Sequence, residues 1–186
     1  MHQRPYDARG NVGYGDVRLT ALPDGKILML VWTWLYTTEE TQSAHRCLSA
    51  DGGLTWTQPE PTNVRCQIMS PFYHKEDVVI AVSNLRTPPV PGIHLVFSRT
   101  AGKEWNADSP VLMWDAVHEQ MQGKSLKIKG SAMDEAQEKI WKSLPGFTFG
   151  TPDLLRIEEN QFLLSYYATK DKVMHARACS FELLEL

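Results

Sequence analysis

One segment limits the fold of this chain more than any other: Ser49-Ala50-Asp51-Gly52-Gly53-Leu54-Thr55-Trp56. It reads as a tight turn that carries its own hydrogen-bonding groups. The Asp51 carboxylate can accept from backbone N–H groups just after it. Gly52 and Gly53 tolerate the positive φ that such a turn demands. Thr55 and Trp56 return to extended structure, and the indole is large enough to anchor the turn. An apolar strand precedes the segment and a loop with Pro59 and Pro61 follows it.

A second copy sits at Ser98-Arg99-Thr100-Ala101-Gly102-Lys103-Glu104-Trp105. It keeps Ser, Gly and Trp at the same offsets, and has Thr100 where the first copy has Asp51 and Glu104 where it has Thr55. The two serines are 49 residues apart, the length of one four-stranded repeat unit. The pattern Ser-x-Asp-x-Gly-x-Thr-Trp resembles the Asp-box, or BNR repeat, of the sialidase-like β-propellers. In that family the box is a structural turn on the outer side of a blade, so the resemblance implies fold before it implies activity.

The rest of the chain repeats strand and turn. Residues 16–22 alternate and end in Pro23-Asp24-Gly25, a hairpin turn. Strands are expected at 27–36, 43–48 and 64–69, where the last closes one blade or opens the next. Further strands are expected at 69–73, 78–83, 93–97 and 110–114, then at 152–157, 162–168 and 172–181. Asp24, Glu76 and Asn160 occupy equivalent turns, spaced 52 and 84 residues apart. The extra 32 residues are an insertion over roughly 116–147. Part of it has helical signals: Ser131 to Asp134 as a start, Ala136, Ile140, Trp141 and Leu144 on one face, and Pro145-Gly146 as a stop. A surface helix and a lid over a central cleft both fit.

The expected fold is therefore all-β: a partial six-bladed propeller of about three four-stranded antiparallel blades, at roughly 14–68, 69–115 and 148–186, with one short helical insertion. Propellers need at least about four blades. The chain thus implies a missing propeller half or a second copy.

Composition narrows the function classes. The net charge of −3 gives no basic footprint, so no nucleic-acid or anionic-membrane partner is expected. No apolar run approaches the roughly 20 residues of a membrane span, and residues 1–7 show no apolar signal-peptide core. Cys47, Cys66 and Cys179 are far apart and without His at ligand spacing. They read as free thiols, with no disulfide framework and no metal or other cofactor. Phosphate-loop, nucleophile-elbow and HExxH patterns are absent.

The inner strand of a propeller blade lines the central cleft. Its candidate starts here are Gly15-Asp16-Val17-Arg18, Met69-Ser70-Pro71-Phe72 and Gly150-Thr151-Pro152-Asp153. The family resemblance implies a catalytic carboxylate six residues before the Leu of a Leu-x-Asp-Gly turn, which falls on Asp16. It implies a tyrosine nucleophile at the start of the last blade, where this chain has Thr151. It implies arginines that clamp a substrate carboxylate by planar bidentate geometry. One such position is Gly92, with Asn84 upstream and Arg86 in the same loop. Another is His45, with Arg46 beside it. The resulting candidates are Asp16 and Asp153 as acids, and Arg18, Arg46, Asn84 and Arg86 as groups that bind a carbohydrate. The same charges also fit solvated strand ends. Trp32, Trp34, Tyr36, Tyr166 and Tyr167 are placed either in the core or against sugar rings. The resemblance implies a glycan-processing glycoside hydrolase relative with an altered or lost catalytic set. The other reading is a non-catalytic propeller module that binds a glycan or a protein.

Overall fold

A computed structural model of the chain describes residues 10–86, 90–116, 148–170 and 173–184. They form three antiparallel sheets taken in chain order. The first contains β1 (Val12–Ala21), β2 (Ile27–Leu35), β3 (Ser43–Ser49) and β4 (Glu60–Arg65), hydrogen-bonded in that order. The second contains β5 (Ile68–Lys75), β6 (Val78–Leu85), β7 (Gly92–Ser98) and β8 (Val111–Asp115), again in order. The third has three strands, β9 (Phe149–Arg156), β10 (Gln161–Lys170) and β11 (Val173–Glu182). The fold is all-β, and these strands close neither a barrel nor a ring. The helix expected within 116–147 lies outside the described residues.

The sheets stack face to face, with first strands adjacent: β1 contacts β5, and β5 contacts β9. Polar bridges join them. Tyr73 N–H donates to Thr20 Oγ1 at 3.2 Å, and Ser70 Oγ donates to the Pro152 carbonyl at 2.6 Å. β2 has apolar residues on both faces because both are covered. Leu28 and Leu30 meet Met69, Val79, Ala81 and Val96 between the first and second sheets. Met29 and Val31 lie on the opposite face with Cys47. A second core, between the second and third sheets, joins Ile80, Val82, Ile93 and Leu95 to Phe149, Phe162 and Leu164. Each such buried side chain contributes about 1.5–3 kcal/mol relative to exposure.

Several strand bounds differ from the sequence reading: β4 begins at Glu60, inside the stretch read as a loop with Pro59 and Pro61, and β9 begins at Phe149 rather than at 152. β1 begins at Val12, four residues before Asp16. Gly13 and Gly15 are strand residues lying under Trp34: a Cβ on Gly13 would collide with that indole, and one on Gly15 would come within 3.1 Å of it. The stretch 64–69 is also two strands. Pairing of β4 with β3 ends at Arg65, and pairing of β5 with β6 begins at Ile68. At the corner between them Gln67 N–H donates to the Asn84 carbonyl at 3.0 Å, and Ile68 N–H donates to Asn84 Oδ1 at 2.9 Å.

The two Ser-to-Trp turns are built alike. In the first, Ser49 Oγ accepts Gly53 N–H at 2.8 Å and Asp51 accepts from Thr55 twice, from N–H at 2.8 Å and from Oγ1 at 2.6 Å. In the second, Ser98 Oγ accepts Gly102 N–H at 2.9 Å and Thr100 Oγ1 accepts Glu104 N–H at 2.8 Å. Both indoles donate to a glycine carbonyl three residues back, at 3.1 Å. Ala101 at φ 51° stands where the first turn has Gly52 at φ 70°.

All three cysteines are free. Burial pushes the Cys66 thiol up to about 12 and is the main cause that takes Cys47 to about 11, so both are inert protonated thiols. Among the described residues no helix is long and apolar enough to cross a membrane, and no cluster of His, Cys, Asp or Glu could hold a metal ion.

Candidate functional site

Two of the first strands carry the same irregularity. In β1 the pairing steps from Gly15↔Trp32 to Arg18↔Leu30, so three residues advance on one strand against two on the other. In β9 it steps from Gly150↔Tyr167 to Asp153↔Ser165, with the same count. The bulges superpose Gly15 on Gly150, Asp16 on Thr151 and Arg18 on Asp153. Asp16 (φ 44°) and Thr151 (φ 45°) both take left-handed backbone, which is costly for a residue with a Cβ and marks a held conformation. Bulges re-aim side chains at sheet edges, and here they set Asp16 and Thr151 at the same end of two first strands.

Arg86 follows β6 at that end and is the best-held cation there. Its backbone N–H donates to Gln67 Oε1 at 3.0 Å. Its Nε donates to the Phe149 carbonyl at 2.8 Å and its Nη2 to the Tyr167 hydroxyl at 3.3 Å. The guanidinium carbon stands 5.9 Å from the centre of the Phe149 ring. A Cβ on Gly150 would collide with Arg86 Nη2 and come within 3.1 Å of the Tyr167 hydroxyl. Burial lowers the Arg86 pKa, and the opposing influences are Tyr167 and the negative charge of Asp16. Arg86 stays charged at neutral pH in any case. Asp16 is therefore near enough for its charge to act on Arg86, while the groups that hold the guanidinium are the Phe149 carbonyl and the Tyr167 hydroxyl.

The other expected site residues are placed differently. Asp153 is exposed and its carboxylate accepts the Leu154 N–H at 2.9 Å. Arg18 is half-buried opposite Leu30 and makes no hydrogen bond or ion pair among the described residues. Arg46 is two strands away from β1 and bonds Glu60, with Nε at 3.1 Å and Nη2 at 3.1 Å. Asn84 is fully buried and ties the corner at Gln67 and Ile68, while its Nδ2 has no partner among the described residues. It supports Arg86 indirectly, because Gln67 receives the Arg86 N–H.

Sequence reasoning weighed Tyr167 mainly as core. Its hydroxyl instead reaches Arg86. The signal was a glycine opposite an aromatic residue, which recurs at Gly13↔Trp34, Gly15↔Trp32 and Gly150↔Tyr167. A glycine there leaves room for a ring to lie over the neighbouring strand. Trp32 and Trp34 pack 4.6 Å apart at 43°, and Trp34 meets Tyr36 edge-on at 6.1 Å. Tyr36 is 61% exposed at the end of this aromatic row, so one edge of the row is open to a ligand.

No family model matches the chain, and no curated protein sequence matches it. Among solved structures it is similar to a protein of unknown function from Dyadobacter fermentans DSM 18053, with 17% identity and a TM-score of 0.63. That match covers 96% of this chain and 40% of the other. The two share a fold. The Hadza microbial sialidase Hz136 also aligns, with 13% identity, a TM-score of 0.46, and coverage of 90% of this chain and 34% of that one. The chain thus spans less than half the length of either structure.

Proposed function

We propose that the three sheets are consecutive blades of a larger six-bladed sialidase-like propeller, whose cleft at the Asp16–Arg86–Tyr167 cluster takes a carbohydrate. The observation that carries this reading is the mounting of Arg86. A cation is fixed by a backbone carbonyl and a phenol over a glycine, at the end of the row of first strands that carries both strained bulges. The paired Ser-to-Trp turns at blade spacing support the Asp-box assignment. Apolar residues remain exposed on the outer faces of the first and last sheets: Leu19 is 54% and Leu155 63% exposed. Further blades, from a longer chain or a second copy, would cover them.

In this reading Asp16 and Asp153 are the candidate acids, and Arg18, Arg86 and Asn84 line or support the cleft, with Arg46 further out. The set is altered from that of a sialidase. Thr151 stands where the tyrosine nucleophile belongs, and an alkyl hydroxyl is far less acidic than a phenol. Gly92 removes one expected clamp. A neutral or uronic sugar therefore fits better than a sialoside. Binding without hydrolysis is a specific second reading. It is favoured by Asp153, whose carboxylate is turned onto its own chain at Leu154. Hydrolysis of a neutral or uronic sugar by a pair of carboxyls needs them about 5–10 Å apart across the bond.

A panel of 4-methylumbelliferyl glycosides tests this: a sialoside beside neutral and uronic sugars. The sialoside is expected to turn over no faster than background, and any activity on the others should vanish in Asp16→Asn. Robust sialoside cleavage that survives Asp16→Asn contradicts both the altered catalytic set and the role of the acid.

A further inference from the structure

The face of the second sheet turned toward the first holds a different site. Along β6, Ile80 and Val82 enter the core shared with the third sheet, so Val79, Ala81 and Ser83 point the other way. Along β7, Ile93 and Leu95 follow the first pair, and His94 and Val96 follow the second. Ser83 and His94 are direct register partners, which sets their Cβ atoms roughly 5 Å apart on one face. They are 3% and 7% exposed, yet neither side chain makes a hydrogen bond among the described residues. The fully buried side-chain polar atoms without a partner among the described residues are Trp32 Nε1 and Asn84 Nδ2. Ser83 and His94 are not of that kind: they line open space between the sheets, where their polar atoms can meet solvent or a ligand.

Both line a cavity of about 400 Å³ between the two sheets, walled by Val64, Leu85 and Val96 with Arg65 and Asp108 among its charged lining groups. The volume is far more than the roughly 10–15 Å³ that one water needs on the same scale. Apolar walls around a few convergent polar groups are the usual make-up of a small-molecule pocket.

We propose that this cleft is a second ligand site, for a small and mostly apolar neutral molecule carrying one hydroxyl or amide group. The two buried groups specify the polar end. A serine hydroxyl and a neutral imidazole each donate and accept, so one ligand hydroxyl can accept from one and donate to the other. Burial favours the neutral imidazole. An anion is disfavoured because Arg65 is already engaged, with Nε donating to the Thr41 carbonyl at 3.0 Å and Nη2 3.6 Å from Glu40. Asp108 adds a negative charge to the lining. A sugar is disfavoured because the apolar walls would leave most of its hydroxyls unpaired. The site lies on the opposite face of the second sheet from Phe149 and Tyr167, so it is separate from the Arg86 cleft.

The test is an NMR titration of the full chain with benzyl alcohol, toluene, sodium benzoate and glucose, read at the His94 ring and the Val96 methyls. Benzyl alcohol should saturate these signals, with toluene, benzoate and glucose each roughly tenfold weaker or silent. Ser83→Ala and His94→Gln should each weaken benzyl alcohol by about tenfold and leave toluene unchanged. If His94→Gln fails to fold, Ser83→Ala decides alone, since it removes one oxygen. Absence of saturable benzyl alcohol binding, equal binding of benzoate, or full binding by Ser83→Ala would each overturn the proposal.

Discussion

Asn63 holds the main chain of Trp105 at both ends: its Nδ2 donates to the Trp105 carbonyl at 2.7 Å, and its Oδ1 accepts the Trp105 N–H at 3.1 Å. The outer strand of the first sheet is thereby tied to the Ser-to-Trp turn of the second. Trp105 is 5% exposed and belongs to the core between those sheets. Asn63→Ala removes both bonds and leaves two backbone groups short of partners. We expect a loss of roughly 1–3 kcal/mol in denaturant unfolding. Asn63→Asp keeps the acceptor, loses the donor and sets a carboxylate against a carbonyl, so it should not recover the loss. A wild-type midpoint in Asn63→Ala would show that the clasp contributes nothing.

The two turns give a paired prediction. Thr55 is the main cause that holds the Asp51 carboxyl down at about 2, through its hydroxyl first and its N–H second, with Ser49 adding to it. A carboxyl lowered on folding adds stability that is complete above its unfolded value near 4 and is lost as pH falls toward 2. Asp51→Asn should therefore flatten the stability curve between pH 4 and 2. In the second turn Thr100→Asp alone should gain little, because its carboxylate would face Glu104. The double change Thr100→Asp with Glu104→Thr should melt higher than the sum of the single changes predicts.

His74 and His94 set the next limb of the pH profile. His74 is 5% exposed, lies 5.7 Å from the Phe162 ring and accepts at Nδ1 from Arg156 at 3.0 Å. Its pKa is lowered by burial first, then by Arg156 and Lys75, against a weaker pull from Glu159. Burial lowers His94 too, against Asp115. Both rings bind protons less well folded than unfolded. Stability is therefore level above about pH 6.5 and falls as pH drops below it toward the lowered folded values. His74→Gln should reduce the slope below pH 6.5 in thermal unfolding. An unchanged slope would mean that His74 titrates normally in the fold.

Gly150→Ala is a probe of the cleft that leaves every charged side chain in place. The added methyl occupies the space of Arg86 Nη2 and pushes the guanidinium off its seat. We expect carbohydrate binding to weaken as much as in Arg86→Ala, by roughly 1.5–3 kcal/mol. A matched loss in the two variants identifies the position of Arg86 as the cause; Gly150→Ala should also melt lower, because Gly150 sits at φ 157° and the methyl crowds the Tyr167 ring.

Much of the sheet structure was legible because its chemistry is local. The run 27–34 is apolar on both faces, and the turns at Asp24, Glu76 and Asn160 announce themselves by residue type. What stayed hidden depends on neighbours far away in the chain. The need for glycine at Gly13 and Gly15 was hidden because the indole that lies over them belongs to β2. The corner at Cys66 and Gln67 was read as continuous strand because Asn84, which turns the backbone there, is remote in sequence. At the site, Arg86 was visible as a cation in the right loop, but its seat on Phe149 and Tyr167 joins residues more than 60 positions apart. Arg46 drew the same interest from sequence as Arg86, and only the three-dimensional pairing with Glu60 separates the two.

The central claim is that the Asp16–Arg86–Tyr167 cluster binds carbohydrate, and a calorimetric titration of neutral and uronic oligosaccharides into the wild-type chain and Arg86→Ala tests it most directly. The account predicts saturable binding of at least one sugar by the wild type and its loss, or a weakening of tenfold or more, in Arg86→Ala. Equal affinity in the two proteins, or no binding by the wild type across the panel, would contradict it.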